Sequence, residues 1–184
     1  MAGDIMNRPV NLCSGKSSDV SVWLMVQGDY NEYAQVGYLQ YTGISTYYFY
    51  EWNDGNGNRL VDTFTPYWGA GETHHYAVTI ASGTGRASMW FDGSVIETTP
   101  FNVLTTWSVT PRGTFAGETH DVQDDIPGTS DHKVRFSNLR ERDCLSTCAW
   151  DNPSVASIHL DGDLAAYKFE WVTNPTYFRI WTER

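Results

Sequence analysis

Short apolar and aromatic stretches recur about every ten residues along this chain of 184, with turn-forming residues between them. Residues 20–26 and 33–41 have the composition of strands, and the Asn-Asp-Gly-Asn-Gly-Asn stretch at 53–58 suits a tight connection between strands. Long runs of helix-favouring residues do not occur, whereas aromatic residues make up 15% of the chain. The pattern predicts an all-β fold, a two-sheet antiparallel β-sandwich.

Further strands are predicted at 46–52, 60–64, 75–80, 87–91, 94–98, 133–139, 165–172 and 177–181. Neither an internal repeat nor a low-complexity linker interrupts this series. We therefore expect residues 1–184 to form a single β-sandwich domain. Residues 1–18 are predicted to be an irregular lead-in, and 144–184 to supply C-terminal strands that complete the sheets.

Charge narrows the classes of partner. The formal net charge is −10 and basic residues form no cluster in the sequence, so we expect neither nucleic acid nor a membrane surface as a partner. The sequence contains no run of 18 apolar residues. We expect a monomer.

Three cysteines, Cys13, Cys144 and Cys148, leave an odd number for pairing. One disulfide with a spare thiol is favoured over a zinc site, since the Cys-x3-Cys spacing alone is weak support for a metal. An oxidising compartment follows, and we expect secretion. The N-terminus has neither a basic n-region nor an apolar h-region, so a leader would have been removed and Met1 added.

Two polar residues occupy predicted strand positions where apolar or small residues are usual. Glu118 follows Ala116 and Gly117, and small neighbours are expected to leave open space around its carboxylate. Gln35 lies in the predicted strand 33–41. A carboxylate can take a proton from water while an amide N–H stabilises the oxyanion, so the two would make a hydrolytic pair if the sheet brought them together.

Five short motifs follow one another along the chain: 21–29 (SVWLMVQGD), 33–37 (YAQVG), 48–52 (YFYEW), 115–118 (FAGE) and 134–138 (VRFSN). In order and spacing this series resembles the fungal glutamic peptidases (eqolisins), over about residues 20–140. The Gly-Glu pair followed by Pro127-Gly128 is also similar to the neprosin glutamic peptidases, which use two glutamates. Because Gln35 stands at the first of those positions, the Gln/Glu dyad of the eqolisins fits better.

The resemblance implies a jelly-roll, concanavalin A-like sandwich and a secreted acid-active endopeptidase that needs no cofactor or metal. In it, Glu118 would be the general base and then acid, and Gln35 the oxyanion donor. The residues expected to bind the polypeptide substrate are Trp23, Tyr33, Glu51, Trp52 and His120. An unshifted Glu base titrates near pH 4.3, which implies an acidic optimum.

Two other functions fit the same sequence. A glycoside hydrolase could use Glu51 and Glu118 as paired carboxylates, with the aromatic strand 47–52 stacking the sugar rings of a polysaccharide. A non-catalytic, lectin-like carbohydrate-binding module could use the same aromatic residues. Asp54, Asn56, Asn58 and Asp62 have part of the spacing of a calcium loop, but the glycine and glutamate of the EF-hand are missing, so we expect a hairpin turn instead.

Overall fold

The computed structural model describes residues 1–8, 12, 19–41, 46–66, 69–119, 124–142, 149–154 and 165–183. In these residues one short helix, α1 (Val103–Thr106), accompanies the strands. The strands are β1 (Ala2–Met6), β2 (Asp19–Gln27), β3 (Glu32–Tyr41), β4 (Tyr47–Asp54), β5 (Arg59–Pro66), β6 (Thr73–Ile80), β7 (Ala87–Phe91), β8 (Ser94–Thr98), β9 (Arg112–Thr119), β10 (Val134–Arg142), β11 (Trp150–Asp151), β12 (Tyr167–Thr173) and β13 (Tyr177–Thr182).

These strands form two antiparallel sheets, which confirms the predicted all-β sandwich. The five-stranded sheet has the order β5-β4-β3-β2-β9. The eight-stranded sheet has the order β12-β13-β10-β1-β6-β7-β8, and β11 pairs with the end of β10. The candidate site residues lie on the smaller sheet, in which β2 is flanked by β3 and β9.

Apolar side chains from both sheets meet between them. Val22 and Tyr38 of the five-stranded sheet pack in the same core cluster as Ile5, Tyr76 and Phe136 of the eight-stranded sheet. All five are fully buried. Because residues alternate along each strand, those between the core positions must face away from the other sheet.

The lead-in predicted for residues 1–18 is wrong at its beginning, because Ala2–Met6 forms a central strand between β10 and β6. Its Gly-Asp pair is unfavourable for a strand, so the strand depends on its two neighbours rather than on propensity. Gly3 also has a packing role, since a Cβ there would lie 2.7 Å from a methyl group of Leu139. Residues 9–11 and 13–18 lie outside the described part.

The C-terminal strands β12 and β13 are present where they were predicted, and both join the edge of the eight-stranded sheet through β10. Predictions for Cys13, Cys144, Cys148 and His120 fall outside the described residues. Within the described ranges, no helix has the length and apolar character needed to cross a membrane.

Candidate functional site

The outer face of the five-stranded sheet, the face turned away from the core, carries most of the predicted site. Inward positions such as Val22 and Val36 are fully buried in the core. The residues between them therefore project outward. The predicted site residues on this outer face are Trp23, Tyr33, Gln35, Glu51 and Glu118.

Glu51 is a buried carboxylate held by three donors. The Tyr33 hydroxyl donates to Glu51 Oε1 at 2.5 Å, and Arg59 Nε donates to the same oxygen at 2.5 Å. Gln35 Nε2 donates to Glu51 Oε2 at 2.8 Å. Gln35 and Glu51 are directly opposite one another on β3 and β4, which places their side chains in contact distance. The arrangement fixes the orientation of the Gln35 amide.

The donors in this network keep their protons at ordinary pH. Burial raises the pKa of Tyr33, and the hydrogen bond to Glu51 and the charge of Glu51 raise it further. The hydrogen bond to Glu51 raises the pKa of Arg59 and outweighs the opposing effect of burial. Both groups thus remain donors, and the charge of the Glu51 carboxylate is balanced by a guanidinium.

Glu118 lies in the next-to-last position of β9 and is exposed. Its Oε2 accepts a hydrogen bond of 3.1 Å from Trp23 Nε1. The expectation that the small residues before Glu118 leave open space around its carboxylate is wrong for Gly117. Gly117 faces the core, where a Cβ would lie 2.5 Å from Ile180 Cδ1, so that glycine makes room for packing and not for a substrate.

Gln35 and Glu118 share a face without touching. Gln35 is opposite Met25 on β2, and Glu118 is opposite Ser21, so β2 separates them and their rows are four residues apart. In a flat sheet this register would put the two Cα atoms about 17 Å apart. Trp23 lies in the row between them. The single described hydrogen bond of the Gln35 side chain goes to Glu51 and not to Glu118.

Tyr41 is the last residue of β3, and its phenol has a raised pKa. Burial raises the pKa of Tyr41, and the negative charges of Asp19 and Glu51 raise it further. Asp19 is the cross-strand partner of Tyr41, but Glu51 pairs with Gln35, six residues earlier on β3.

An apolar cluster occupies the middle of the outer face. Trp23, Met25, Leu39 and Phe49 are buried there, separate from the main core. Gly37 lies beside Trp23, and a Cβ on it would overlap the Val22 carbonyl oxygen and lie 2.7 Å from the Trp23 Cα. Only glycine therefore permits this close approach of β2 and β3.

Trp52 is a correction to the predicted substrate-binding set. It faces the core, 8% exposed, and packs edge-on against Phe101 with ring centroids 5.5 Å apart. Alternation along β4 sends Tyr48 and Tyr50 inward as well. The aromatic strand therefore cannot offer those three rings to sugars.

Glu51, the second carboxylate of the glycosidase alternative, is buried and accepts hydrogen bonds from Tyr33, Arg59 and Gln35. Its Cα is three strands and four residues from that of Glu118, about 20 Å in a flat sheet and only slightly farther than the Gln35 Cα. The 54–58 loop is a hairpin turn, as predicted. Asp54 accepts hydrogen bonds from the Asn56 N–H, the Asn58 N–H and the Asn58 side chain. In the described residues no group of three or more His, Cys, Asp or Glu side chains is arranged to hold a metal.

No protein-family model matches the chain, and no curated protein matches it either.

Arg59 is the site residue that the sequence analysis missed. It lies across from Asn53, two residues from Glu51, so its long side chain reaches the carboxylate diagonally. The 54–58 turn sets the pairing of β4 with β5, and it is the sequence signal from which the position of Arg59 could have been predicted.

Proposed function

We propose that this protein is a secreted, acid-active glutamic endopeptidase that binds an extended polypeptide along the outer face of its five-stranded sheet. The observation that carries the proposal is the common placement of two groups. An exposed carboxylate, Glu118, and an amide of fixed orientation, Gln35, lie on the same outer face of one sheet although 83 residues separate them in sequence (118 − 35).

In the proposed reaction Glu118 takes a proton from a water molecule as that water attacks the carbonyl carbon of the scissile peptide bond. The carbonyl oxygen becomes an oxyanion and accepts a hydrogen bond from Gln35. The protonated Glu118 then gives its proton to the departing amine as the C–N bond breaks. Atoms and charge balance without a cofactor.

The Glu51 network would prepare Gln35 for this role. A side-chain amide nitrogen carries two N–H groups, and the hydrogen bond to Glu51 Oε2 uses one of them. The remaining N–H then has a defined direction before the substrate binds. Preorganised donors of this kind stabilise a transition state more effectively than donors that must be oriented during the reaction.

Trp23 would have the matching role for the base. Its indole N–H donates to Glu118 Oε2 at 3.1 Å and would hold the carboxylate in position. The proposal requires Glu118 and Gln35 to reach a single carbonyl group from rows that are four residues apart. A substrate chain lying over the Trp23 row would have to span the two groups.

The test is hydrolysis of denatured casein between pH 3 and pH 5 by the purified protein in the presence of pepstatin. We expect Glu118→Gln to lower kcat by at least about a hundredfold, the usual contribution of general acid–base catalysis. Glu72→Gln, which changes an exposed carboxylate just before β6 on the other sheet, should retain full activity.

The dyad itself is tested by adding Gln35→Ala and the double variant. If Gln35 and Glu118 act on one carbonyl, the kcat losses should be far from additive. Additive effects, or a Gln35→Ala variant that changes KM alone, would show that the amide acts elsewhere on the substrate. Full activity in Glu118→Gln, or a maximum at pH 8, would refute the peptidase proposal.

A further inference from the structure

Two arginines stand directly opposite each other on the outer face of the eight-stranded sheet. Arg135 of β10 pairs in register with Arg179 of β13. Val134 and Phe136 are fully buried on either side of Arg135, so the arginine projects away from the core. Like charges placed opposite one another on adjacent strands are destabilising. The arrangement therefore costs the fold stability when nothing lies between the two cations.

The surroundings are basic although the protein as a whole is acidic. Seven of the ten Lys and Arg residues in the described ranges lie in or beside β1, β10, β12 and β13: Arg8, Lys133, Arg135, Arg140, Arg142, Lys168 and Arg179. In the described ranges the same strands and their adjoining residues carry four carboxylates, Asp4, Glu141, Glu170 and Glu183, and β11, which pairs with β10, adds Asp151. The local balance is 7 − 5 = +2, against 10 − 18 = −8 for all described residues.

Aromatic side chains hold the neighbouring cations in place. Lys133 Nζ lies 4.0 Å from the centre of the Trp181 ring. Arg179 donates from Nε and Nη2 to the Tyr177 hydroxyl at 3.1 and 3.0 Å. Both cations also contact Glu170 Oε1, Lys133 at 3.0 Å and Arg179 at 3.1 Å. Glu170 is thus an example, within the molecule, of the carboxylate chemistry that this surface accepts.

Arg135 differs from these neighbours. It is half-buried, and no carboxylate in the described part of the chain pairs with it. Arg8, which follows the strand paired with β10, also lacks a described carboxylate partner and donates to the Lys133 carbonyl oxygen at 3.0 Å. Among the described residues, the guanidinium groups of Arg135 and Arg8, beside the Lys133–Glu170–Arg179 cluster, therefore have no carboxylate partner.

We propose that Arg135 and Arg179 form the centre of a binding site for the side-chain carboxylates of an acidic polypeptide segment. Guanidinium groups match carboxylate geometry with two parallel hydrogen bonds. A singly charged carboxylate is favoured over a phosphate, since a phosphate would bring about −2 against Glu170 and the acidic chain. Carboxylates on flexible Glu side chains can also reach Arg8 and Lys168 from one backbone.

The experiment is fluorescence anisotropy of a labelled hexaglutamate peptide with the intact 184-residue protein at pH 7 and low salt. Binding should weaken about tenfold in Arg135→Ala, the loss expected for a charge-assisted hydrogen bond, and should fall steeply with added salt. Arg86→Ala is the matched control, because Arg86, the residue just before β7, is exposed and donates to the Pro100 carbonyl oxygen. It should bind the peptide like the unaltered protein.

A stability measurement separates this role from a structural one. Because Arg135→Ala removes a like-charge pair, its thermal midpoint should equal or exceed that of the unaltered protein, and Arg135→Glu should raise it while abolishing peptide binding. The proposal is overturned if the peptide fails to bind, or if Arg135→Ala binds it normally or unfolds earlier. Oligogalacturonate binding without peptide binding would overturn the polypeptide assignment, and stronger competition by inorganic phosphate than by acetate would overturn the preference for a single charge.

Discussion

The Glu51 network provides the most quantitative prediction. Glu51→Gln preserves the shape of the side chain but replaces two acceptor oxygens by one oxygen and one NH2 group. In the unaltered protein three donors, from Tyr33, Gln35 and Arg59, converge on the carboxylate. In the variant at least one of these donors must lose its acceptor. The other hydrogen bonds lose their charge assistance.

The expected cost follows from these contacts. Hydrogen bonds to charged groups contribute roughly 1.5–3 kcal/mol and neutral ones roughly 0.5–1.5 kcal/mol, and an unsatisfied buried donor costs about 1–3 kcal/mol. The Arg59 side chain is 59% exposed, so its ion pair with Glu51 is screened and adds little. We expect Glu51→Gln to lower the free energy of unfolding by about 3 kcal/mol.

Urea unfolding measures this directly. For a slope of about 2 kcal/mol per molar urea, the midpoint should fall by about 1.5 M. Tyr33→Phe should cost about 1 kcal/mol, and the double variant less than the sum, because both changes remove one hydrogen bond. Tyr30→Phe, at an 82% exposed tyrosine, should have no effect. A Glu51→Gln protein within about 0.5 kcal/mol of the unaltered one would refute the network as described.

Two further predictions concern the fold. Gly37→Ala should destabilise the protein by more than about 3 kcal/mol or prevent folding, because the new Cβ meets backbone atoms of β2, whereas Gly83→Ala, with nothing within 4 Å, should be nearly neutral in a thermal melt; equal midpoints for the two would contradict the packing described. The His75 pKa is raised by its hydrogen bond to Asp4; burial would raise the Asp4 pKa, but the hydrogen bonds from His75 and from an asparagine outweigh it and lower that pKa. The contribution of His75 to the free energy of unfolding is complete below about pH 6.5 and is lost as pH rises through its raised pKa. The contribution of Asp4 is complete above about pH 3.9 and is lost on acidification. His75→Gln should thus cost about 0.5–1 kcal/mol at pH 5 and almost nothing at pH 9, and an equal cost at both values would exclude the ion pair.

The strand pattern of the fold was readable from sequence because local chemistry and tertiary structure agree there. The strands β7 and β8 have the predicted bounds, since Asp92 and Gly93 between them adopt the positive φ values of a tight hairpin. β1 could not be predicted in the same way. Its Gly3 and Asp4 are poor strand residues, and its position is determined by β6 and β10, which lie far along the chain.

The candidate site was readable in part. Period-two alternation correctly places Gln35 on one face of β3, but it does not say which side chain its amide will contact. That depends on the cross-strand register, which aligns Gln35 with Glu51 and leaves Glu118 four residues along. The resemblance alone placed Trp52 in the substrate-binding set, but Trp52 directly follows Glu51, and neighbours in a strand face opposite sides of the sheet.

The most direct test of the proposed activity is mass spectrometry of a reduced, denatured protein substrate incubated at pH 4 with the purified protein or with Glu118→Gln. We predict new peptide termini with the unaltered protein and almost none with the variant, although both retain the same fold by circular dichroism. The absence of new termini with the unaltered protein, or equal cleavage by both, would contradict the assignment of Glu118 as the catalytic carboxylate.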